Sequence, residues 1–189
     1  MPTPYALQPR NVRYNMGVNA GVLLRAFDVE SGAARREDII GATDGPVRFV
    51  AKPRFADLGA GVGNCPRNVR EMKLLKDWEA RLTGAFVSAD TAASRGLIAL
   101  CDAQEGHLVP RAQLELRDFD DLWLVFDYGP APGHYAIRLR NALSTGGLQV
   151  RTQDRENARW PFEYTAHYSL EEVGVAPFEV WIGSGGVRS

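Results

Sequence analysis

The sequence predicts a mainly β protein of antiparallel strands with one packed helix. In its last third, short strand-like runs are separated by Gly, Pro and Asn turns, the pattern of an antiparallel sandwich or barrel. The central run "WEARLTGAFVS" alternates apolar and polar residues with the period of two of a half-buried strand. One segment alone, residues 90–102, shows a strong helical period.

Length and composition indicate one globular domain. The chain has 189 residues, of which 45% are hydrophobic and 24% charged, sufficient for one full core. A net charge of −1 creates no strong field for nucleic acid or an anionic membrane. Cys65 and Cys101 form neither a disulfide framework nor a CxxC motif, which favours a reducing, intracellular origin. The sequence shows no signal peptide and no membrane span, so we expect a soluble protein.

The N-terminal half is predicted to contain strands around a long loop. Residues 1–18, rich in proline, are expected to form an extended arm. Strands are predicted over Gly21–Val29 and in "PVRFVAKPRFADL", where Pro53 suits an edge strand or a bend. Residues 59–75, "GAGVGNCPRNVREMKLL", are glycine-rich at the start and basic at the end, and are predicted to be a long loop.

The predicted helix follows the alternating strand. Asp90 is suited to cap a helix that begins at Thr91. Its apolar face consists of Ala93, Leu97, Leu100 and Cys101.

The segment from Leu122 to Ile182 is predicted to consist of successive strands. The predicted strands are "LWLVFDY", "HYAIRLRNAL", "LQVRTQD", "RWPFEYTAHYS" and "PFEVWI". In the first of them, alternate residues are apolar on both faces. We therefore expect the second face of this sheet to be covered by the protein's own helix or by another subunit. Residues 183–189 are expected to be flexible.

The stretch "FADLGAGVGN" resembles the glycine loop with which methyltransferases bind S-adenosylmethionine. A helix after the loop and a second strand ending at Asp90 would complete such a site. However, a doubly wound sheet requires a continuous apolar first strand, and here Lys52, Pro53 and Arg54 interrupt it. Asp90 is also 27 residues beyond Gly63, where about 20 are expected. A cofactor site at residues 59–63 is thus the weaker hypothesis, and a mobile loop the stronger.

Other groups that carry chemistry favour structural explanations. His107, His134 and His167 show no metal-ligand spacing. Cys65 near arginines is more simply a free loop cysteine than a nucleophile. The acidic run "RDFDD" is expected to be a solvated turn that starts a strand. We therefore predict no enzyme activity, no cofactor and no metal.

Two features favour a self-assembling β protein. The loop at residues 59–75 is long and carries mixed charge, which suits contact with a partner. The sheet that is apolar on both faces likewise suggests contact with another subunit.

The chain resembles the major tail proteins, or tail tube proteins, of long-tailed, siphovirus-type phages, over roughly residues 19–182. The most specific matching stretches are "NCPRNVREMKLLKDWEARLTGAF", "NALSTGG" and "FEYTAHYS". The others are "NAGVLLRAFD", "GATDGPVRF", "DLWLVFDY" and "VAPFEVWI".

The resemblance implies a structural protein with a β-sandwich or half-open barrel and a flanking helix. Family members form hexameric rings that stack into a tube for DNA passage, without sequence specificity or a membrane. The implied partners are further copies and the tape-measure, tail-tip and tail-terminator proteins, and the implied location is the virion tail, assembled in the host cytoplasm. An alternative is a ring protein that caps or completes the tube. By analogy, the long loop would contact a neighbouring subunit or ring through Asn64, Arg67, Asn68, Arg70, Glu71 and Lys73.

Overall fold

The computed structural model describes residues 18–43, 45–59, 61, 63–64, 66–86, 100–104, 107–127, 134–152 and 159–182. These residues form ten strands and three single-turn 3-10 helices, the latter at Arg36–Asp38, Arg70–Met72 and Leu116–Asp118. The strands are β1 (Val18–Leu24), β2 (Ile39–Ala42), β3 (Arg48–Asp57), β4 (Lys73–Phe86), β5 (Cys101–Gln104), β6 (His107–Pro110), β7 (Asp120–Asp127), β8 (His134–Ser144), β9 (Trp160–Thr165) and β10 (Phe178–Ile182).

Eight of these strands form one antiparallel sheet, in the order β2-β1-β7-β8-β9-β4-β3, with β10 also paired to β8. The sheet divides at β8: residues 135–139 pair with β7 and β10, whereas residues 143–144 pair with β9. An isolated bridge between Thr43 and Phe86 joins the end of β2 to the end of β4. The predicted mainly β, antiparallel fold is confirmed, in an arrangement consistent with a sandwich or half-open barrel. Strands β5 and β6 form a separate hairpin.

The main core combines apolar residues of β1, β7 and β8 with those of β4 and β9. Phe86 and Leu82 of β4 are fully buried, and the ring of Phe86 lies 4.5 Å from that of Phe162. Each such side chain removed from water contributes about 1.5–3 kcal/mol. The predicted alternation of β4 is confirmed, since Ala80 is buried and Arg81 is exposed.

The opposite face of β1, β7 and β8 carries a second, smaller apolar cluster. Trp123 and Ala136 are buried there. The ring of Trp123 stacks on Trp181 at 5.0 Å, and Phe27 packs on it at 5.8 Å. The sheet is therefore apolar on both faces, as predicted. Phe27 of the β1–β2 connection and Trp181 of β10 pack on Trp123, whereas the predicted helix lies mostly outside the described residues, so cover of this face by a helix or another subunit stays a prediction.

Strand β3 lies at the end of the sheet order, as Pro53 predicts. Pro53 is opposite Trp78, whose amide donates to the Tyr168 hydroxyl at 2.8 Å on the far edge of β4. The two residues therefore form a non-hydrogen-bonded pair, and the Pro53 nitrogen faces the open edge. The missing N–H of proline thus costs no bond of the β3–β4 ladder.

Some predicted boundaries need correction. The helix predicted over residues 90–102 lies mostly outside the described residues, and its last two residues, Cys101 and Asp102, belong instead to β5, paired with β6. The predicted strand "LQVRTQD" is reduced to a single bridge between Arg151 and Arg159 among the described residues. Val18, predicted to end the N-terminal arm, begins β1; the rest of that arm and residues 183–189 lie outside the described ranges.

Candidate assembly surfaces

The predicted long loop is the connection of a β-hairpin between β3 and β4. The structure corrects its bounds from 59–75 to 58–72, because Lys73, Leu74 and Leu75 pair with β3. β4 continues the hairpin well beyond the rest of the sheet, since only Arg81–Phe86 pair with β9. The outer part of β3 and β4 is thus a two-stranded ribbon that projects from the sheet. We call residues 54–59 and 66–77 the projecting hairpin.

Hydrogen bonds organise the described part of the 58–72 connection. Asp57 accepts from the amides of Gly59, at 3.1 Å, and Asn68, at 3.0 Å. The amide of Leu58 donates to the carbonyl of Met72 at 2.9 Å, which closes the base. Asn68 has a φ of 60°, a left-handed conformation that asparagine tolerates better than most residues. The carboxylate of Asp57 therefore holds both ends of the connection together.

The six residues predicted for subunit contacts are all exposed: Asn64, Arg67, Asn68, Arg70, Glu71 and Lys73. The Lys73 ammonium donates to Asn68 Oδ1 at 2.8 Å. Arg70 pairs with Glu71 at 2.6 Å, and this hydrogen bond lowers the pKa of the Glu71 carboxyl. Arg67 forms no ion pair with any residue that the structure describes.

Sequence reasoning missed the apolar residues of the projecting hairpin. Phe55, Leu58, Leu74 and Leu75 are between 48% and 65% exposed. Phe55 is paired with Leu75, and the Lys73 ammonium lies 5.8 Å from the centre of the Phe55 ring. Phe55 and Leu75 share one face of the ribbon and Leu74 lies on the other, so both faces of this protruding element expose large apolar side chains of the kind found at interaction sites. The pairing of these residues with β3 shows that they belong to a strand. The sequence alone did not indicate this, because "KLLKD" shows no alternation of apolar and polar residues.

A second exposed apolar surface lies on the connection between β9 and β10, residues 166–177. Leu170 is 95% exposed and Val173 69%. Hydrogen bonds fix this segment: the Glu172 amide donates to the Ser169 carbonyl at 3.3 Å, and the Val175 amide donates to the Glu172 carbonyl at 3.0 Å. We call residues 169–175 the acidic turn.

The acidic turn is anchored on β8. The guanidinium of Arg140 pairs with Glu172 at 2.9 Å and with Glu179 of β10. The hydrogen bond to Glu179 raises the pKa of Arg140 further, so the cation is permanent. Glu172 is engaged by Arg140, whereas its neighbour Glu171 is exposed and forms no ion pair within the described part of the chain.

The hairpin geometry differs from that of a nucleotide-cofactor loop. Such a loop joins a buried parallel strand to a helix. Here the loop joins two antiparallel strands, and the residues expected to form the following helix lie in one 3-10 turn and in β4. A side chain at Gly61 or Gly63 would meet no atom within 4 Å. The described fold therefore gives neither glycine a steric role.

Several of the other chemical groups singled out in the sequence have structural partners, whereas Cys65 lies outside the described residues. His167 Nδ1 lies 3.1 Å from the carbonyl oxygen of Asn141, and His134 packs edge-on to Phe27. In the "RDFDD" run, Asp118 pairs with Arg111 and Asp121 with Arg138. Among the described residues, no group of three or more His, Cys, Asp or Glu side chains is placed to hold a metal ion. Nor does any described helix have the length and apolarity to span a membrane.

Comparison with known proteins leaves the family open. No protein-family model and no curated protein matches the chain.

Proposed function

We propose that the chain is the structural subunit of a phage tail tube, in which rings of six copies stack into a hollow tube. The sequence resemblance to tail tube proteins suggests this function. The observation that carries it is the projecting hairpin, a two-stranded element with exposed apolar residues that extends beyond the packed core. A tube subunit needs such an element to bind its neighbours.

The free strand edges support self-assembly as well. In the eight-stranded sheet, three strands have an outer edge with which no described strand forms a ladder: β3, β10 and β2, the last of which has only the isolated Thr43–Phe86 bridge beyond β1; the edges of β3 and β10 are the two considered for joining. Free edges invite pairing with other chains, and proteins normally cover or pair them. Because the two edges differ, a contact between them is heterologous and closes into a ring when the rotation is right. Edge-to-edge joining of six copies would then remove both edges.

In the proposed role, the tube would carry genomic DNA without sequence specificity. Its partners would be further copies of the chain, a tape-measure protein that sets the length, and tail-tip and terminator proteins at the ends. The subunit would be assembled in the host cytoplasm and located in the virion tail. No catalysis or cofactor is required for this role.

The proposal is tested by negative-stain electron microscopy and sedimentation velocity of the purified protein at rising concentration. Hollow tubes are the expected result. Isolated rings that never stack would favour the capping protein instead. Monomers at every concentration would overturn the proposal, and S-adenosylmethionine binding in calorimetry would then favour a cofactor-binding protein.

A further inference from the structure

We infer that the projecting hairpin of one copy docks on the acidic turn of the next copy. This inference deepens the proposed function and rests on it, since it names the surface that receives the hairpin. The occupant is a second copy of this chain, and the contact combines apolar burial with opposite charge.

Charge complementarity is the first argument. The basic residues of the projecting hairpin are Arg54, Arg67, Arg70, Lys73 and Lys76, against three acidic ones, Asp57, Glu71 and Asp77. Asp57 binds backbone amides, and the pairs Glu71–Arg70 and Asp77–Arg54 engage two acids and two arginines, which leaves Arg67, Lys73 and Lys76 as the basic residues without an ion pair among the described residues. The acidic turn contains Glu171 and Glu172 and no Lys or Arg. Each surface thus has the charge that the other lacks.

The apolar residues are the second argument. Leu58 near the hairpin tip is 65% exposed, and Leu170 in the acidic turn is 95% exposed. Both occupy hydrogen-bonded backbone: the Leu58 amide is bound to Met72, and the Leu170 position lies between the bonded residues Ser169 and Glu171. Burial of an ordered, exposed leucine against a partner lowers the free energy of the complex.

The geometry favours a second copy over the same chain as the occupant. The Tyr168 hydroxyl binds the amide of Trp78, so the acidic turn of the same chain begins at the base of the projecting hairpin. From Trp78 to Lys73 the ribbon extends five residues farther, about 16 Å at about 3.3 Å per residue. The ribbon thus carries the hairpin tip away from Tyr168, the point where the acidic turn of the same chain begins.

Another exposed apolar site is less suited as the acceptor. Leu116 is 90% exposed in the 3-10 turn before β7. Its charged neighbours, however, already pair among themselves: Arg111 with Glu115, and Arg117 with Asp102 and Glu115. The three carboxylates beside Leu116, those of Asp102, Glu115 and Asp118, are all engaged in ion pairs with Arg111 or Arg117, so none of them is an unpaired acid like Glu171. Leu116 therefore provides a matched control.

The test is charge reversal followed by mixing. Arg67→Glu and Glu171→Arg are each expected to weaken self-association about tenfold, because like charges then face each other. An equimolar mixture of the two variants should assemble like the wild type. When the two variants alternate, the side chain at position 67 of each copy meets a side chain of opposite charge at position 171 of the next copy. Sedimentation velocity and electron microscopy measure both effects, and circular dichroism checks that each variant is folded.

The controls separate the two proposals. Arg35→Glu, an equivalent reversal at a site 80% exposed and outside both surfaces, should leave association unchanged. Leu170→Ser should weaken it, and Leu116→Ser should not. If rings or tubes form and resist both charge reversals and Leu170→Ser, the docking inference is overturned while the proposed function stands. Association that depends on the charge pair but gives only open oligomers upholds docking and overturns the tube. A protein that never associates overturns both.

Discussion

At the scale of single residues, two glycines outside the glycine-rich loop have the clearest physical role. A Cβ built on Gly84 would lie 2.6 Å from the ring of Phe162, and one on Gly41 would lie 2.7 Å from the ring of Phe86. Real Cβ atoms do not approach other atoms so closely. Glycine at these positions therefore allows the backbone of β2 and β4 to lie against the aromatic core. The conspicuous glycines of "GAGVG" had suggested a special loop, whereas these two carry no motif.

Gly84→Ala should destabilise the fold by about 1–3 kcal/mol, the usual cost of overpacking a filled core. The added methyl group must displace the ring of Phe162, which is itself packed against Phe86. Urea unfolding followed by tryptophan fluorescence measures the loss. Gly174→Ala is the matched control, because a Cβ there meets no atom within 4 Å, and it should change stability by less than about 0.5 kcal/mol. Equal effects of the two substitutions would contradict the packing argument.

At the scale of elements, β4 is one strand in two environments. All of its inner half, Arg81–Phe86, pairs with β9, and residues 81–83 pair with β3 as well, whereas residues 73–75 and 77 pair with β3 alone. The sequence reveals the inner half because burial of one face forces alternation there. In the outer half both faces are exposed to solvent, so no alternation of apolar and polar residues is required there. The sequence pattern therefore placed the start of β4 at Trp78, five residues after its actual start at Lys73. The register irregularity between Arg54 and Phe55 adds twist that no sequence pattern indicated.

The same reasoning explains the other outcomes at this scale. Alternation in "LWLVFDY" predicted two apolar faces because both are buried locally, by core residues on one side and by Trp181 and Phe27 on the other. The extension of a helix to Asp102 failed because apolar spacing alone does not reveal that Cys101 pairs with Pro110. For the assembly surfaces, the sequence indicated the basic residues of the loop. It could not indicate Leu170, whose exposure depends on the tertiary path of the β9–β10 connection.

Hydrogen exchange should distinguish the two halves of β4. In dilute protein, amides of residues 73–77 are expected to exchange at least about tenfold faster than those of residues 81–86, since a two-stranded ribbon opens more readily than a strand inside a sheet. Exchange measured by mass spectrometry at low concentration tests this. The amides of β3 opposite each half serve as internal controls. Uniform protection along β4 would mean that the projecting hairpin is covered by another part of the chain.

At the scale of the whole molecule, the protein has two unlike surfaces. The projecting hairpin is apolar and basic, and the acidic turn is apolar and acidic, although the net charge of the chain is only −1. Contact between unlike surfaces propagates from copy to copy and leads to rings or polymers. The nearly neutral total hides this division, which is why composition alone gave no indication of a charged partner.

This division predicts that assembly depends on salt. Raising NaCl from about 0.1 M to about 1 M shortens the Debye length from about 10 Å to about 3 Å, which screens exposed charges such as Arg67 and Glu171. We expect the association constant to fall about tenfold and then level off, because burial of Leu58 and Leu170 does not depend on the charges and persists. Sedimentation equilibrium across the salt series measures both the salt-dependent fall of the association constant and the plateau that follows it. In the Arg67→Glu protein the association constant should not fall with salt, or should rise, because salt then screens a repulsion between like charges. Association that strengthens steadily with salt in the wild type would show that apolar contact alone joins the copies.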